Sequence, residues 1–269
     1  MSRLLGALGV LLLAGVAGCD AGSARAEQGP VRSAQPAVAG TELEARDDQG
    51  RALHFRIDAV EKNAADADGD VSFYELSVRE PSGEWARYCA PDFEGKSRAI
   101  PVKGSWDERG TYMPGSEERT TFACTSGAIG KCIRFGYKPW KTVDGQSLLG
   151  HHQACIRMVR ADYCGDGRPH TKDGTKINVW DQLGIQKPDP EEAGHPELFE
   201  AAWGPGGAVF LGIPRWSDDV AAVVAECPDR LRGHNSGEMK LSRSEVEQRY
   251  REALVFNGRY VNEADRWFR

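Results

Sequence analysis

Cys155 follows His152 by three residues and His151 by four. On a helix that spacing sets a thiol and an imidazole on one face. A cysteine nucleophile needs such a pairing, because the His draws off the thiol proton. A second group, Asp162, Asp166, His170 and Asp173, surrounds the run GDGRPHTKDGT at 165–175. Carboxylates beside an imidazole on a Gly-rich loop are suited to acid–base work. A third group, Asp66, Asp68, Asp70 and Glu75, collects the oxygen ligands that calcium takes; no cofactor is predicted, calcium being the one exception to weigh. Each group has a plainer reading: a half-cystine on a buried helix face, aspartates bonded to their own turn, and an Asp-Gly hairpin turn. Trp140, Trp180, Trp203 and Trp216 offer either a ligand-binding patch or core packing.

Spacing separates these chemistries further. Counted from Asp66, Gly69 is the fourth residue and Glu75 the tenth, whereas an EF-hand loop carries Gly at its sixth position and Glu at its twelfth. Cys155-Ile156-Arg157 resembles the end of the L,D-transpeptidase signature, a Ser-His-Gly-Cys run followed one residue later by Arg. The resemblance implies a cell-wall cross-linking enzyme. Here His152, Gln153 and Ala154 occupy the Ser, His and Gly positions, and the next histidine upstream of His151 is His54. No Cys-x2-Cys pair exists, and the spacings Cys124-x7-Cys132 and Cys155-x8-Cys164 are irregular for zinc.

The N-terminus carries an address. Arg3 precedes the apolar run 4–17, LLGALGVLLLAGVA, which is short of the roughly 20 residues a membrane span needs and matches a signal-peptide core. Val16-Ala17-Gly18-Cys19 resembles the bacterial lipobox, whose Cys becomes the lipid-modified N-terminus. This divides the chain into a signal peptide at 1–18, lipidated Cys19 with a tether to residue 40, and a domain over 41–269. The tether, DAGSARAEQGPVRSAQPAVAG from 20 to 40, spans about 25 Å root-mean-square as a flexible coil. The expected location is exported and lipid-anchored on the periplasmic or cell-surface side of a bacterial membrane. Expected partners are the membrane, through the anchor, and an envelope protein or cell-wall ligand. A net charge of −6 and a pI near 5.6 argue against nucleic acid.

With Cys19 assigned to lipid, Cys89, Cys124, Cys132, Cys155, Cys164 and Cys227 remain. An even set in an exported chain reads as a disulfide framework whose connectivity the spacings leave open. Leu53, Phe55, Ile57 and Ala59 alternate with polar residues and predict a strand, as do 71–78, 84–89, 98–103 and 120–124. Helices are expected over 126–135, capped by Ser126, and over 147–163, with Leu148, Leu149, His152, Cys155, Ile156 and Val159 on one stripe. Cys132 and Cys155 then face each other from neighbouring helices and form the favoured pair. Strands at 177–180 and 208–213, a loop at 187–196 and a helix at 219–227 follow. Ser242–Glu245 opens a last helix that Asn257-Gly258 is expected to end. The fold class is α+β: a single compact disulfide-stapled domain, β-rich at its N-terminal part, then short helices and strands.

Ala161-Asp162-Tyr163-Cys164, followed by Gly165-Asp166-Gly167, lies between the run 152–160 (HQACIRMVR) and Thr171-Lys172-Asp173-Gly174-Thr175. Together with Thr121–Cys124 and the stretch 131–140 (KCIRFGYKPW), it resembles the ADYC-domain family of bacterial exported proteins, over roughly residues 50–230. That resemblance implies export and a set of cysteines, and no activity. The function to expect is a membrane-anchored envelope lipoprotein with a non-enzymatic binding or envelope-associated role. The alternative is a cell-wall-acting enzyme, either a degenerate L,D-transpeptidase-like cysteine enzyme or a hydrolase centred on the acidic loop.

Overall fold

The computed structural model describes residues 38–47, 51–172, 174–190, 197–215, 219–231, 233–235 and 243–260. Cys19, the tether up to residue 37, Asp173, Trp216 and Ser242 lie outside them.

The N-terminal part forms an antiparallel sheet of β1 (Glu42–Arg46), β2 (Ala52–Lys62), β3 (Ser72–Arg79), β4 (Trp85–Arg87), β5 (Ala99–Lys103) and β6 (Thr120–Cys124). Its order is β1-β2-β3-β5-β6, with β4 also paired to β3. The period-2 pattern holds through Leu53, Phe55, Ile57 and Ala59, each more buried than its neighbours, with Phe55 and Ile57 fully withdrawn. Ile57 pairs with Leu76 but Ala59 with Glu75, which makes Asp58 the extra residue of a β-bulge and leaves Ala59 only half-buried.

Next come α1 (Ala128–Arg134), a small hairpin of β7 (Thr142–Val143) and β8 (Gln146–Ser147), and α2 (Leu149–Arg160). The N-cap of α1 is Gly127, with no side-chain cap, so Ser126 does not play that part. Helix α2 ends at Arg160, three residues before the expected stop, because Ala161 turns left-handed (φ 49°). Burial is also not confined to one stripe: every residue from His151 to Met158 is buried.

The second sheet explains that burial. It contains β9 (Ile177–Asp181), β10 (Glu197–Gly204), β11 (Gly207–Leu211), β12 (Gly233–His234) and β13 (Val255–Tyr260), in the order β12-β11-β10-β13-β9. The helices α3 (Val220–Glu226) and α4 (Arg243–Arg249) accompany it. The main core joins Ile100, Val102 and Ala123 of the first sheet, Ile133 of α1, Ile156 of α2, and Ala201, Trp203 and Val255 of the second sheet. The helix pair therefore lies between two sheets, and α2 has almost no face left for water. On the far side of the second sheet, Val246 and Ala253 cover Trp180, Phe210 and Phe256.

One sequence expectation is overturned here. Asn257-Gly258 does not end a helix; both residues lie inside β13, which pairs with β10 on one side and β9 on the other. Asn257 is buried and its side chain serves the core, accepting from Trp203 Nε1 at 2.7 Å and donating to Glu200 Oε2 at 2.8 Å. Gly258 leaves room for its neighbour, since a Cβ there would lie 1.9 Å from Glu197 Oε1 and would push that side chain aside.

Three disulfides tie these layers: Cys89–Cys124, Cys132–Cys155 and Cys164–Cys227. The first fastens the segment after β4 to β6, the second joins α1 to α2, and the third links the turn after α2 to the end of α3. Such a set indicates an oxidising, exported environment. Among the described residues, no helix is long and apolar enough to cross a membrane.

Candidate functional site

With its sulfur bridged to Cys132, Cys155 carries no thiol in this structure, and both half-cystines are fully buried. His152 is buried as well. Its Nε2 lies 3.2 Å from the Ile129 carbonyl, so Nε2 carries the proton and Nδ1 is left as a buried lone pair without a partner. Burial pushes its pKa down to about 4, against the small opposing effect of that carbonyl, so the ring is neutral at pH 7. His151 stacks on Tyr137, and burial lowers its pKa too, with the charge of Asp181 working the other way.

The acidic turn between β2 and β3 is occupied by a lysine. Lys138 Nζ, arriving from beyond α1, lies 2.5 Å from Asp66 Oδ1, 2.7 Å from Asp68 Oδ2 and 2.5 Å from Asp70 Oδ1. Its three N–H donors match three carboxylates, and Trp140 Nε1 donates to Asp70 at 2.8 Å. Burial works against the ammonium, but the carboxylates outweigh it and hold the Lys138 pKa above its ordinary value. Asp70, for the same reason in reverse, is held well below the carboxylate range. Glu75 stands on β3 opposite Ala59 and is not part of the group. Replacing Lys138 with Met leaves three carboxylate oxygens within 4.8 Å of one another. Loss of a buried cation among carboxylates is expected to cost about 3 kcal/mol. Millimolar calcium should restore the melting temperature of Lys138→Met while leaving wild type unmoved; calorimetry with and without calcium measures both.

Beside this clasp a cleft of about 810 Å³ opens between the β2–β3 turn and the chain leaving α1. Its lining includes the apolar Val71, Ile133, Phe135 and Ile185 and the charged Arg98, Arg134 and Lys141. Arg98 and Arg134 converge on Asp92, whose side chain is fully buried, at 3.0 and 3.2 Å, and both also meet Glu94. Burial works to raise the Asp92 pKa. Hydrogen bonds from Arg98, from Thr125 and from the backbone N–H groups of Lys96 and Glu94 outweigh it and hold the group at about 2. A carboxylate depressed in the folded state contributes stability that is fully present above its unfolded pKa, near 3.8, and lost as pH falls towards 2. Urea midpoints recorded against pH should therefore fall less steeply between these values in Asp92→Asn than in wild type.

The remaining candidates meet at the corner where α2 ends. Asp162 is fully buried; its Oδ2 accepts from Arg157 Nη1 at 2.6 Å and from the Gly167 N–H at 2.9 Å. Arg157 also donates to the carbonyls of Arg109 and Pro205 and to the Thr111 hydroxyl. The Tyr163 hydroxyl donates to Glu200 at 3.1 Å and accepts from the Arg215 N–H at 2.7 Å. Arg215 in turn pairs with Glu200 and donates to the carbonyls of Met158 and Val159, closing the C-terminal end of α2. Cys164 forms its bridge to Cys227 at the same corner. A family model described as the ADYC domain matches residues 35–217. The chain belongs to the ADYC-domain family. No curated protein and no solved structure matches it.

The four residues that spell the ADYC motif thus have separate tasks: Ala161 reverses the helix end, Asp162 neutralises Arg157, Tyr163 bridges to β10, and Cys164 closes the third cystine. Gly165 completes the corner with φ +68°, where a Cβ would lie 1.7 Å from the Gly206 carbonyl oxygen. Gly165→Ala should destabilise the ADYC domain by about 3 kcal/mol or more, from backbone strain and overpacking together; urea unfolding at neutral pH checks it.

Asp166 is exposed and its Oδ1 accepts from the Arg168 N–H of its own turn. Both ring nitrogens of His170 meet acceptors, the Ala161 carbonyl at 3.1 Å and Glu226 Oε2 at 3.0 Å. Trp180 and Trp203 are buried, whereas Trp140 is 42% exposed beside the cleft. The sequence reading missed Arg157 as an ion-pair partner and missed Glu200 and Arg215 altogether. Only the unusual length of the buried segment around them hints at their place.

Proposed function

We propose that this ADYC-domain protein is a bacterial envelope lipoprotein, acylated at Cys19 and lifted from its membrane by the tether, whose domain binds a ligand rather than catalysing a reaction. The observation that carries the non-enzymatic reading is the commitment of the candidate groups. Cys155 is in a buried bridge, His152 is buried and neutral, Asp162 is locked to Arg157, and His170 has acceptors at both nitrogens. A nucleophile or base must instead keep a reactive lone pair facing substrate. The acidic turn acts as a lysine-filled clasp in place of a calcium site.

Mass spectrometry of the non-reduced, alkylated protein purified from membranes tests this reading. The expected result is a first peptide beginning at Cys19 with a diacylglyceryl thioether, and no alkylated cysteine among the other six. A freely alkylated Cys155, or a chain retaining residues 1–18 without lipid, overturns it. Release of muropeptides from purified cell wall by the domain would favour the enzyme.

A further inference from the structure

The cleft beside the lysine clasp has the size of a small-ligand pocket and walls of mixed character. Most of its charged groups are already paired. Arg98 and Arg134 meet Glu94, and Lys138 and Lys141 meet carboxylates of the β2–β3 turn. Glu61 and Lys62, at the end of β2, are different. Both line the cleft and are exposed, and neither side chain has a hydrogen bond or ion pair among the described residues. The wall thus carries one unpaired acid and one unpaired base.

Apolar groups supply much of the rest. Val71, Ile133 and Leu148 are nearly closed to solvent, but Phe135, Val143 and Ile185 are half-buried and keep apolar surface open. This part of the wall is fixed in advance. Gln186 Nε2 donates to the Phe135 carbonyl at 2.7 Å, and the Asp181 carboxylate accepts from the N–H groups of Ile185 and Gln186. The β2–β3 turn is fixed too, since Asp66 Oδ2 accepts from the N–H groups of Asp70 and Val71. A site ordered before binding loses little affinity to ordering.

Charge complementarity narrows the ligand. A neutral molecule leaves both Glu61 and Lys62 without a partner. A fatty-acid anion pairs with Lys62 but brings its charge towards Glu61, and an amine does the reverse. A molecule with one charge of each sign satisfies both. Neighbouring side chains on a strand leave from opposite faces, so the two ligand charges must stand apart rather than on one carbon. A short peptide with free termini has that arrangement, and its apolar side chains can cover Phe135, Val143 and Ile185. Its backbone N–H groups can also donate to the carboxylates of Asp68 and Glu94, which are 49% and 41% exposed.

We infer, building on the reading of the domain as a binding module, that this cleft binds short apolar peptides with free ends, the carboxylate at Lys62 and the ammonium at Glu61. Titration calorimetry of the full-length, disulfide-intact protein tests it at about pH 6.5, where a peptide's α-amino group is charged. The probes are leucyl-alanine, leucyl-alanyl-leucine, the tripeptide with its amine acetylated, its carboxyl amidated or both, triglycine, and decanoate. The expected result is saturable binding of at least one free leucine-containing peptide, weakened about fivefold by either cap, with triglycine much weaker. Lys62→Ala should weaken the free tripeptide about fivefold and leave the amidated form unmoved. Glu61→Ala should do the same for the free and acetylated forms. Both side chains are exposed, so both variants should keep the wild-type melting temperature. No saturable binding by any free peptide overturns the inference. So does triglycine binding as well as the leucine peptides, tighter binding of decanoate or of the doubly capped tripeptide, or a loss in either variant that is the same with and without the matching cap. None of these outcomes bears on acylation or on the thiol map, so failure here is distinct from failure of the lipoprotein reading.

Discussion

Reduction of the three cystines is expected to unfold the domain at room temperature. The bridges span 35, 23 and 63 residues of chain. In the chain-entropy treatment, loops of those lengths are stabilised by about 4, 3 and 4 kcal/mol respectively. Domains of ordinary stability carry a net of about 5–15 kcal/mol, so losing all three removes most or all of the margin. The loops do not overlap, and each bridge fastens a different pair of elements, which favours near-additive losses. Circular dichroism after reduction and alkylation measures the effect. A fully reduced protein that retains a cooperative thermal transition above about 45 °C, the lower end for mesophile domains, would contradict the stapled architecture.

The second large effect belongs to Asp162. Its pair with Arg157 is almost entirely withdrawn from water, with side chains 0% and 2% exposed. Removing one member of such a pair leaves an uncompensated buried charge and costs about 3–5 kcal/mol. For a domain of this size that lowers the melting temperature by about 6–20 °C. Asp162→Ala and Arg157→Met should each show it. The double variant should be less destabilised than the two single losses combined, since neither charge is then stranded. Arg157 additionally serves two carbonyls and a hydroxyl, so recovery should stay partial. Thermal unfolding of the four proteins completes the cycle; single losses below about 1 kcal/mol, the level of an exposed pair, would show that this corner is open to solvent.

Much of the first sheet was legible because its strands alternate apolar and polar residues and are separated by Asp-Gly and Pro-Ser-Gly turns. The cysteine arithmetic was legible too, and the helical phase of Cys132 and Cys155 made theirs the favoured pair, while the other two pairings were left open. The second sheet was harder. β10 reads ELFEAAWG, with a charged Glu200 at its centre that is fully buried, and no periodicity rule anticipates a carboxylate whose partner is fifteen residues away at Arg215. β13 was hidden by Asn257-Gly258, a pair that serves equally as a helix stop and as a site where a strand admits a neighbour's side chain. The clasp at Asp66, Asp68 and Asp70 was visible as a cluster of ligands, but its cation comes from Lys138, about seventy residues away. A single sequence records which groups are charged and leaves their pairings to the fold.

The position of β13 bears on how the protein is made. The strand at 255–260 sits between β10 and β9 and so completes the interior of its sheet. While the chain is emerging from a ribosome or a translocation pore, β9 and β10 have no neighbour to join them, and Trp203, Trp180 and Phe199 lack their cover. The first sheet can assemble early, whereas the second waits for residue 260. A polypeptide that must cross a membrane unfolded gains from that delay, and a premature stop anywhere before β13 should yield a product that proteases clear rapidly.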